Sequence, residues 1–264
     1  MLTLAAEDLR ALRSWMSTTL GFKGEDYRPS FLSRRVSSRL KATGCDDVAS
    51  YLDLLQRSPL EARILSEKLL VPTTEFFRNP EVFEALAPHL ARRCRGRRRL
   101  HLVSAPCSTG EEAVSFAVMM EELRLPGTVW ALDRSRRALG ALKAGSFPAR
   151  AVDKVDTKLQ RRYFRRVGET ASVAQRVLDR IIPVCCDLGD GLPIRVAQVV
   201  AVRNLFIYLT EEAQARILDG VGRALEPGGL LVLGRAETLP PSRAASWVPL
   251  DRAARIYAWH GGPR

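Results

Sequence analysis

The sequence predicts an α/β protein, a doubly wound parallel sheet preceded by a small all-helical domain. Three observations carry that expectation. Over the first 70 or so residues, apolar positions recur at spacings of three and four, the period of an amphipathic helix. From Leu100 onward, short apolar runs alternate with helical stretches, the pattern of βαβ units. The run Val196 to Val202 is almost entirely apolar, as a central parallel strand buried on both faces requires.

The elements follow in order. Leu9, Leu12 and Met16, then Val48, Tyr51, Leu52 and Leu55, then Ile64, Leu65 and Leu69 mark helix faces, punctuated by Gly21, Gly24, Pro29, Gly44 and Pro59. A further helix is expected over Glu81 to His89, and the arginine-rich stretch with Gly96 reads as a hinge. Leu100 to Val103 is the first strand, followed by the small-residue loop Ser104 to Gly110 and a helix from Glu111 to about Leu123. Val129 to Leu132 is the second strand, ending in Asp133, with a helix over Ser135 to Ala144. Ile181 to Cys185 and Val196 to Val202 are the third and fourth strands. A helix over Glu211 to Leu225 stops at Glu226-Pro227-Gly228-Gly229, and Leu230 to Leu233 is the fifth strand. Ser246 to Val248 and Arg255 to Trp259 read as closing strands.

Composition excludes several classes. With 264 residues and 46% hydrophobic content the chain is long enough for a substantial core and is not a disordered segment. Its apolar runs fall far short of the roughly 20 residues that cross a bilayer, and Met1 to Arg13 does not read as a signal peptide, so a cytoplasmic protein is expected. The five cysteines form no C-x-x-C pair and the three histidines add no ligand spacing, so neither a disulfide framework nor a metal site is expected. The formal charge of +12 favours acidic partners. It is unevenly placed: Arg28, Arg35 and Arg39 fall on one helix face, six arginines lie in Arg92 to Arg99, and eleven basic residues lie in Arg134 to Arg166 against Asp153 and Asp156.

Chemistry is expected at the carboxyl ends of the strands, where open α/β sheets bind ligands. The first strand leads through Ser108-Thr109-Gly110 to a helix N-terminus carrying Glu111 and Glu112. No lysine or glycine-rich pattern of a triphosphate loop is present. Asp133, 21 residues beyond Glu112, suits the two hydroxyls of a ribose. The third strand ends at Asp187-Leu188 and the fourth at Arg203-Asn204, followed by Leu205-Phe206-Ile207-Tyr208. The turn from Leu225 to Leu231 matches the helix-to-strand turn common in S-adenosylmethionine-dependent methyltransferases.

Three stretches carry a specific resemblance: Thr73 to Phe83 (TTEFFRNPEVF), Ser104 to Glu112 (SAPCSTGEE) and Val202 to Tyr208 (VRNLFIY). In this order and spacing the chain resembles the chemotaxis receptor (methyl-accepting protein) glutamate O-methyltransferases, the CheR family, over nearly its whole length. The resemblance implies a class I, Rossmann-like methyltransferase domain over 100–264, a helical substrate-recognition domain over 1–78, and a connecting helix and hinge over 79–99. It implies transfer of a methyl group from S-adenosyl-L-methionine to glutamate side chains of membrane chemoreceptors. The expected partner is their cytoplasmic helical region, with no nucleic acid, no membrane insertion and a monomeric enzyme. By position Thr74, Arg78, Glu112, Asp133, Asp187, Leu188, Arg203 and Asn204 match cofactor-binding residues, Arg78 and Tyr208 match the catalytic pair, and Arg28, Arg35 and Arg39 would receive an acidic receptor helix.

The chain departs from the family pattern in places. Pro72 stands where an Asn is usual, Pro106 removes an amide from the loop, Ala113-Val114-Ser115 replaces Pro-Tyr-Ser, Ser135 replaces a second acid, and Gly234-Arg235-Ala236-Glu237 varies Gly-x-Ser-Glu. Two other readings stand beside the enzyme: a binding module that has kept the scaffold and lost catalysis, and a nucleic-acid methyltransferase with Pro106-Cys107 as its nucleophile motif. In cytosine-C5 enzymes that motif follows the fourth strand, whereas here it follows the first.

Overall fold

The computed structural model describes residues 4–70, 74–94 and 99–261. Pro72 and the middle of the Arg92–Arg99 block lie outside them. The chain packs as two units, Met1–Val71 with Tyr208–Gln214, and Pro72–Ile207 with Ala215–Arg264.

The first unit holds α1 (Ala6–Leu20), α2 (Pro29–Thr43), α3 (Val48–Arg57) and α4 (Pro59–Leu69). Local chemistry sets their ends. Gly21 and Gly44 close α1 and α2 in the left-handed conformation, and Pro29 and Pro59 open α2 and α4, where no amide partner is needed. Asp47 and Ser50 form a capping box on α3, and the Ser58 hydroxyl accepts from the Glu61 amide on α4. The expected stripe positions Leu12, Met16, Val48, Tyr51, Leu55, Leu65 and Leu69 form the core with Leu32, Val36 and Leu40 of α2; Ile64 stays half-buried.

The second unit begins with α5 (Pro80–Cys94), longer than the helix expected over 81–89. It continues through Pro88 because Leu86 and Leu90 are both fully buried on its inner face, and that burial outweighs the lost backbone bond. There follow β1 (Leu100–Ser104), α6 (Glu111–Glu122), β2 (Gly127–Asp133), α7 (Arg136–Ala144), β3 (Ser146–Pro148), α8 (Thr157–Tyr163), β4 (Phe164–Val167), β5 (Thr170–Val173), α9 (Gln175–Leu178), β6 (Ile181–Cys185), β7 (Ala197–Val202), α10 (Glu211–Ala224), β8 (Leu225–Leu233), α11 (Pro241–Ala244), β9 (Trp247–Asp251) and β10 (Ile256–Trp259). Helix α10 starts in the first unit and runs into the second.

Seven strands form the main sheet in the order β6-β2-β1-β7-β8-β10-β9. The first five are parallel, and β10 pairs antiparallel with both β8 and β9. Strand order therefore reverses between β1 and β7, which makes their carboxyl ends the switch point where a ligand crevice opens. β7 is buried at every residue, and in α6 every residue from Ala113 to Met120 is buried.

Two features differ from expectation. β8 begins at Leu225, so Glu226-Pro227-Gly228-Gly229 is absorbed into the strand as an irregularity in its pairing with β7. Buried Gln198 anchors it, donating to Glu226 Oε2 at 2.8 Å and accepting the His101 amide at 2.6 Å. The second is a separate antiparallel sheet, β3-β5-β4, within and just past the stretch read only as the Arg134–Arg166 basic block. Its strands are three or four residues long, too short for alternation to show, and β4 is half arginine. No helix among the described residues is long and apolar enough to cross a membrane.

Candidate active site

The crevice is built from the ends of β1, β2, β6 and β7. After β1 the chain turns through Gly110, whose φ of +101° and position against Leu142 leave no room for a side chain: a Cβ there would lie 2.4 Å from the Leu142 side chain. This turn sets the start of α6. There Glu111 is buried, its carboxylate accepting from Thr109 Oγ1 at 2.6 Å, and burial pushes its carboxyl above the ordinary value.

Asp133 closes β2. Ser108 donates its amide to Oδ2 and Ser135 donates its amide to Oδ1, each at 2.8 Å. The residue is 7% exposed, and burial raises its pKa against the opposing pull of those two bonds. At the end of β6, Asp187 accepts the Gly189 amide at 2.8 Å and faces Arg134 at 4.0 Å, while Leu188 is buried.

Arg203, just past β7, organises the centre. One guanidinium nitrogen donates to Glu112 Oε2 at 2.9 Å; another donates to the Arg78 carbonyl at 2.7 Å and to Asn79 Oδ1 at 3.0 Å. The group also lies over the Phe83 ring at 5.9 Å, and its buried Nε has no hydrogen-bond partner. The other Glu112 oxygen accepts from Ser104 Oγ at 2.7 Å. Three of the expected residues, Arg78 through its carbonyl, Glu112 and Arg203, thus meet, and Asn204 follows Arg203 in the chain. Thr74 lies half-buried at the start of the same segment.

Sequence reasoning singled out Glu237 only as part of a varied motif and gave it no role. It is 2% exposed and accepts three backbone amides: Asn204 at 2.9 Å, Phe206 at 2.7 Å and Gly234 at 2.6 Å. Asn204 has a φ of +62°, and these bonds hold the turn in that shape. Gly234 is required beside it, since a Cβ would lie 2.5 Å from Glu237 Oε2 and 2.9 Å from the Asn204 nitrogen.

The remaining expected residues belong to the helical unit. Tyr208 packs on Phe31 at 4.9 Å between ring centroids, and its carbonyl accepts the Arg28 amide at 2.9 Å. Arg28 also donates from Nε to the Leu209 carbonyl, and Arg35 lies over the Phe31 ring. Arg39 is turned inward, in a two-bond pair with Glu61 at 2.8 and 2.6 Å that also takes the Tyr51 hydroxyl at 2.7 Å. The expected basic stripe is therefore less open than its spacing implied, because one of its three cations is committed inside the fold.

Profiles of two families match this chain: "CheR methyltransferase, SAM binding domain" over residues 72–252 and "CheR methyltransferase, all-alpha domain" over residues 7–70. The chain belongs to the CheR methyltransferase family. Among curated relatives, "Probable biofilm formation methyltransferase WspC" of Pseudomonas putida is 32% identical over 83% of this chain and 54% of its own length. "Chemotaxis protein methyltransferase 2" of Pseudomonas aeruginosa is 26% identical, covering 88% of this chain and 86% of that protein. The Escherichia coli "Chemotaxis protein methyltransferase" is 27% identical over 89% and 86%. The chain spans 24%, 55% and 54% of the first three relatives it matches.

The CheR-type crevice suits S-adenosylmethionine on its own chemistry. The cofactor carries a sulfonium and an ammonium, and this crevice gathers Glu111, Glu112, Asp133 and Asp187 in a chain whose net charge is +12. Asp133 and Leu188 both lie at the carboxyl ends of strands, each 7% exposed. The nucleic-acid reading loses its nucleophile: Cys107 is buried, and burial with the nearby Asp133 and Glu112 carboxylates pushes its thiol far up, away from thiolate.

Proposed function

We propose that this CheR-family chain methylates glutamate side-chain carboxylates on the cytoplasmic helical region of chemoreceptors, giving glutamyl methyl esters. The observation that carries the reading is the Arg203 bracket, which ties the Arg78 segment to Glu112 at the switch point. That keeps the three motifs of the resemblance in one working arrangement despite the departures around them.

The sulfonium supplies an activated methyl group when the cofactor is bound. A glutamate is already ionised at neutral pH, so the protein has no proton to remove and its task is positioning. Arg78 is assigned to the incoming carboxylate and Tyr208 to the methyl pocket. Asp133, Asp187 and Leu188 hold the adenosyl half, and Thr74, Glu112, Arg203 and Asn204 shape the methionine side. Arg28 and Arg35 are assigned to the acidic receptor helix, and Arg39 keeps a share of that role only through the α2–α4 scaffold it braces.

The test is transfer of labelled methyl from S-adenosylmethionine to receptor-enriched membranes. The expected product is label on receptor protein, released as methanol by mild base; base-stable label, or label on RNA or DNA, overturns the proposal. Arg78→Ala is expected to lose turnover even with cofactor at saturation, and a variant that binds cofactor normally and keeps full turnover overturns its role.

A further inference from the structure

A cavity of about 650 Å³ lies in the second unit, away from the residues assigned to the cofactor. None of Thr74, Arg78, Glu112, Asp133, Asp187, Arg203 or Asn204 lines it; it shares Asn79 and Phe83 with the surroundings of Arg203. Two helices, α5 and α6, supply much of its lining, with the segment before α5 and residues around the start of α8 completing it. On α5 the lining residues Pro80, Phe83, Glu84 and Ala87 follow the i, i+3, i+4, i+7 pattern of one helix face, about 10 Å of axis. On α6 the lining residues are Val118, Met119 and Glu122, with Leu123 just past its end. Two such stripes form a groove of the kind that takes a third helix, with methionine and aromatic side chains able to adjust to its apolar face.

The charge of the lining points to the occupant's flanks. Glu75, Glu84, Glu122 and Asp156 line the cavity against the single cation Lys154, whereas the chain as a whole carries 41 basic and 29 acidic residues. Some of these charges are engaged: Lys154 pairs with Glu75 at 3.0 Å, Arg162 pairs with Glu122 at 2.9 Å, and Asp156 caps α8. Glu84 is exposed on α5 and has no ion pair or hydrogen bond among the described residues. We infer that this groove docks an amphipathic helix of a partner protein, whose apolar side chains enter the cavity and whose lysines or arginines meet Glu84 and the Glu75 edge. This is a binding surface apart from methyl transfer, and the charge of its lining is opposite in sign to the net charge of the chain.

The probe is a fluorescein-labelled 18-residue helical peptide of leucine and lysine in amphipathic register, followed by anisotropy with the full chain at physiological salt. The same peptide with glutamate for lysine, and dodecylamine as an unlabelled competitor, complete the set. The lysine peptide is expected to bind at least tenfold more tightly than the glutamate peptide. Glu84→Lys is expected to weaken it about tenfold, and Ala87→Trp, which fills the groove, to abolish it, both variants keeping wild-type affinity for S-adenosylmethionine. Glu84 is on the surface, so its variant tests the idea even if Ala87→Trp fails to fold. Unchanged affinity in Glu84→Lys overturns the proposal, as does equal binding of the two peptides. Binding of dodecylamine without binding of the peptide also overturns it, in favour of a small-molecule site.

Discussion

The Arg203 guanidinium and the Glu112 carboxylate form a 2.9 Å ion pair with side-chain exposures of 2% and 12%, and the same guanidinium holds the Arg78 carbonyl. Both charges are out of water, so their value lies in being together. Removing one partner of such a pair costs about 3–5 kcal/mol, because the other stays buried and uncompensated. Arg203→Met is expected to lose that much stability in urea titration. The double variant Arg203→Met/Glu112→Gln is expected to lose clearly less than the sum of the two single changes, since no charge is then stranded. Methyl transfer is expected to fall in both, because the Arg78 segment loses its brace.

Glu237 and Gly234 make a second local prediction. Three amides converge on one carboxylate, and Gln in its place keeps one acceptor oxygen and sets an NH₂ group against donors. Glu237→Gln is expected to cost about 1–3 kcal/mol for the amides left unsatisfied. Gly234→Ala is expected to cost a similar roughly 1–3 kcal/mol through overpacking against the Asn204 backbone. In both variants cofactor affinity measured by calorimetry is expected to fall, because the turn carrying Asn204 is no longer fixed; wild-type affinity in a folded Glu237→Gln protein would separate the turn from the site.

The strands were legible where burial was continuous. Ala197 to Val202 is almost entirely apolar because both faces of the strand are covered, and the strand expected over Val196 to Val202 starts one residue later, Val196 being exposed. Asp133 was legible as the polar end of a strand, and Arg203-Asn204 because it directly follows the buried strand β7. The bracket was not, since a spacing rule cannot show that Arg203 spends its donors on Glu112 and the Arg78 carbonyl. Glu237 was visible as a letter in a motif, but its task depends on amides about 30 residues earlier in the chain. For Arg39 the helical period was right and the inference of an open cation was not: Glu61, 22 positions away, turns it inward. The β3-β5-β4 sheet was missed because its strands are shorter than one readable alternation.

The Arg39–Glu61 pair carries a pH prediction for the helical unit. Burial alone would push the Glu61 carboxyl up, but the bonds from Arg39 and Tyr51 outweigh it and leave its pKa below the ordinary value. A carboxyl lowered in the folded state stabilises above its unfolded pKa, and that stabilisation is lost as pH falls through the folded one. Stability at neutral pH is therefore expected to exceed that in the acid range below the ordinary glutamate value, and Glu61→Gln is expected to remove this part of the dependence. Arg39→Met is expected to destabilise the fold by about 3–5 kcal/mol. If Arg39→Met instead left the denaturation midpoint unchanged and weakened only receptor methylation, the arginine would be a recognition residue after all.

Asp133 gives the opposite sign. Its pKa is raised by burial, so the folded protein holds a proton there more readily than the unfolded chain, and the stability contributed by this group falls as pH rises through the folded value. In the proposed ribose contact the hydroxyls donate to the ionised form, so bound cofactor would lower that pKa again. Affinity for S-adenosylmethionine is therefore expected to weaken as pH falls from neutral through the raised pKa, while stability without cofactor gains from the same protonation. Asp133→Asn is expected to weaken binding at neutral pH by roughly tenfold to a hundredfold, the worth of hydrogen bonds to a charged acceptor. It is also expected to flatten the pH dependence, which isothermal titration across that range would read directly. A variant that lost affinity but kept the wild-type pH profile would place the titrating group elsewhere in the crevice, with buried Glu111 as the next carboxyl to replace.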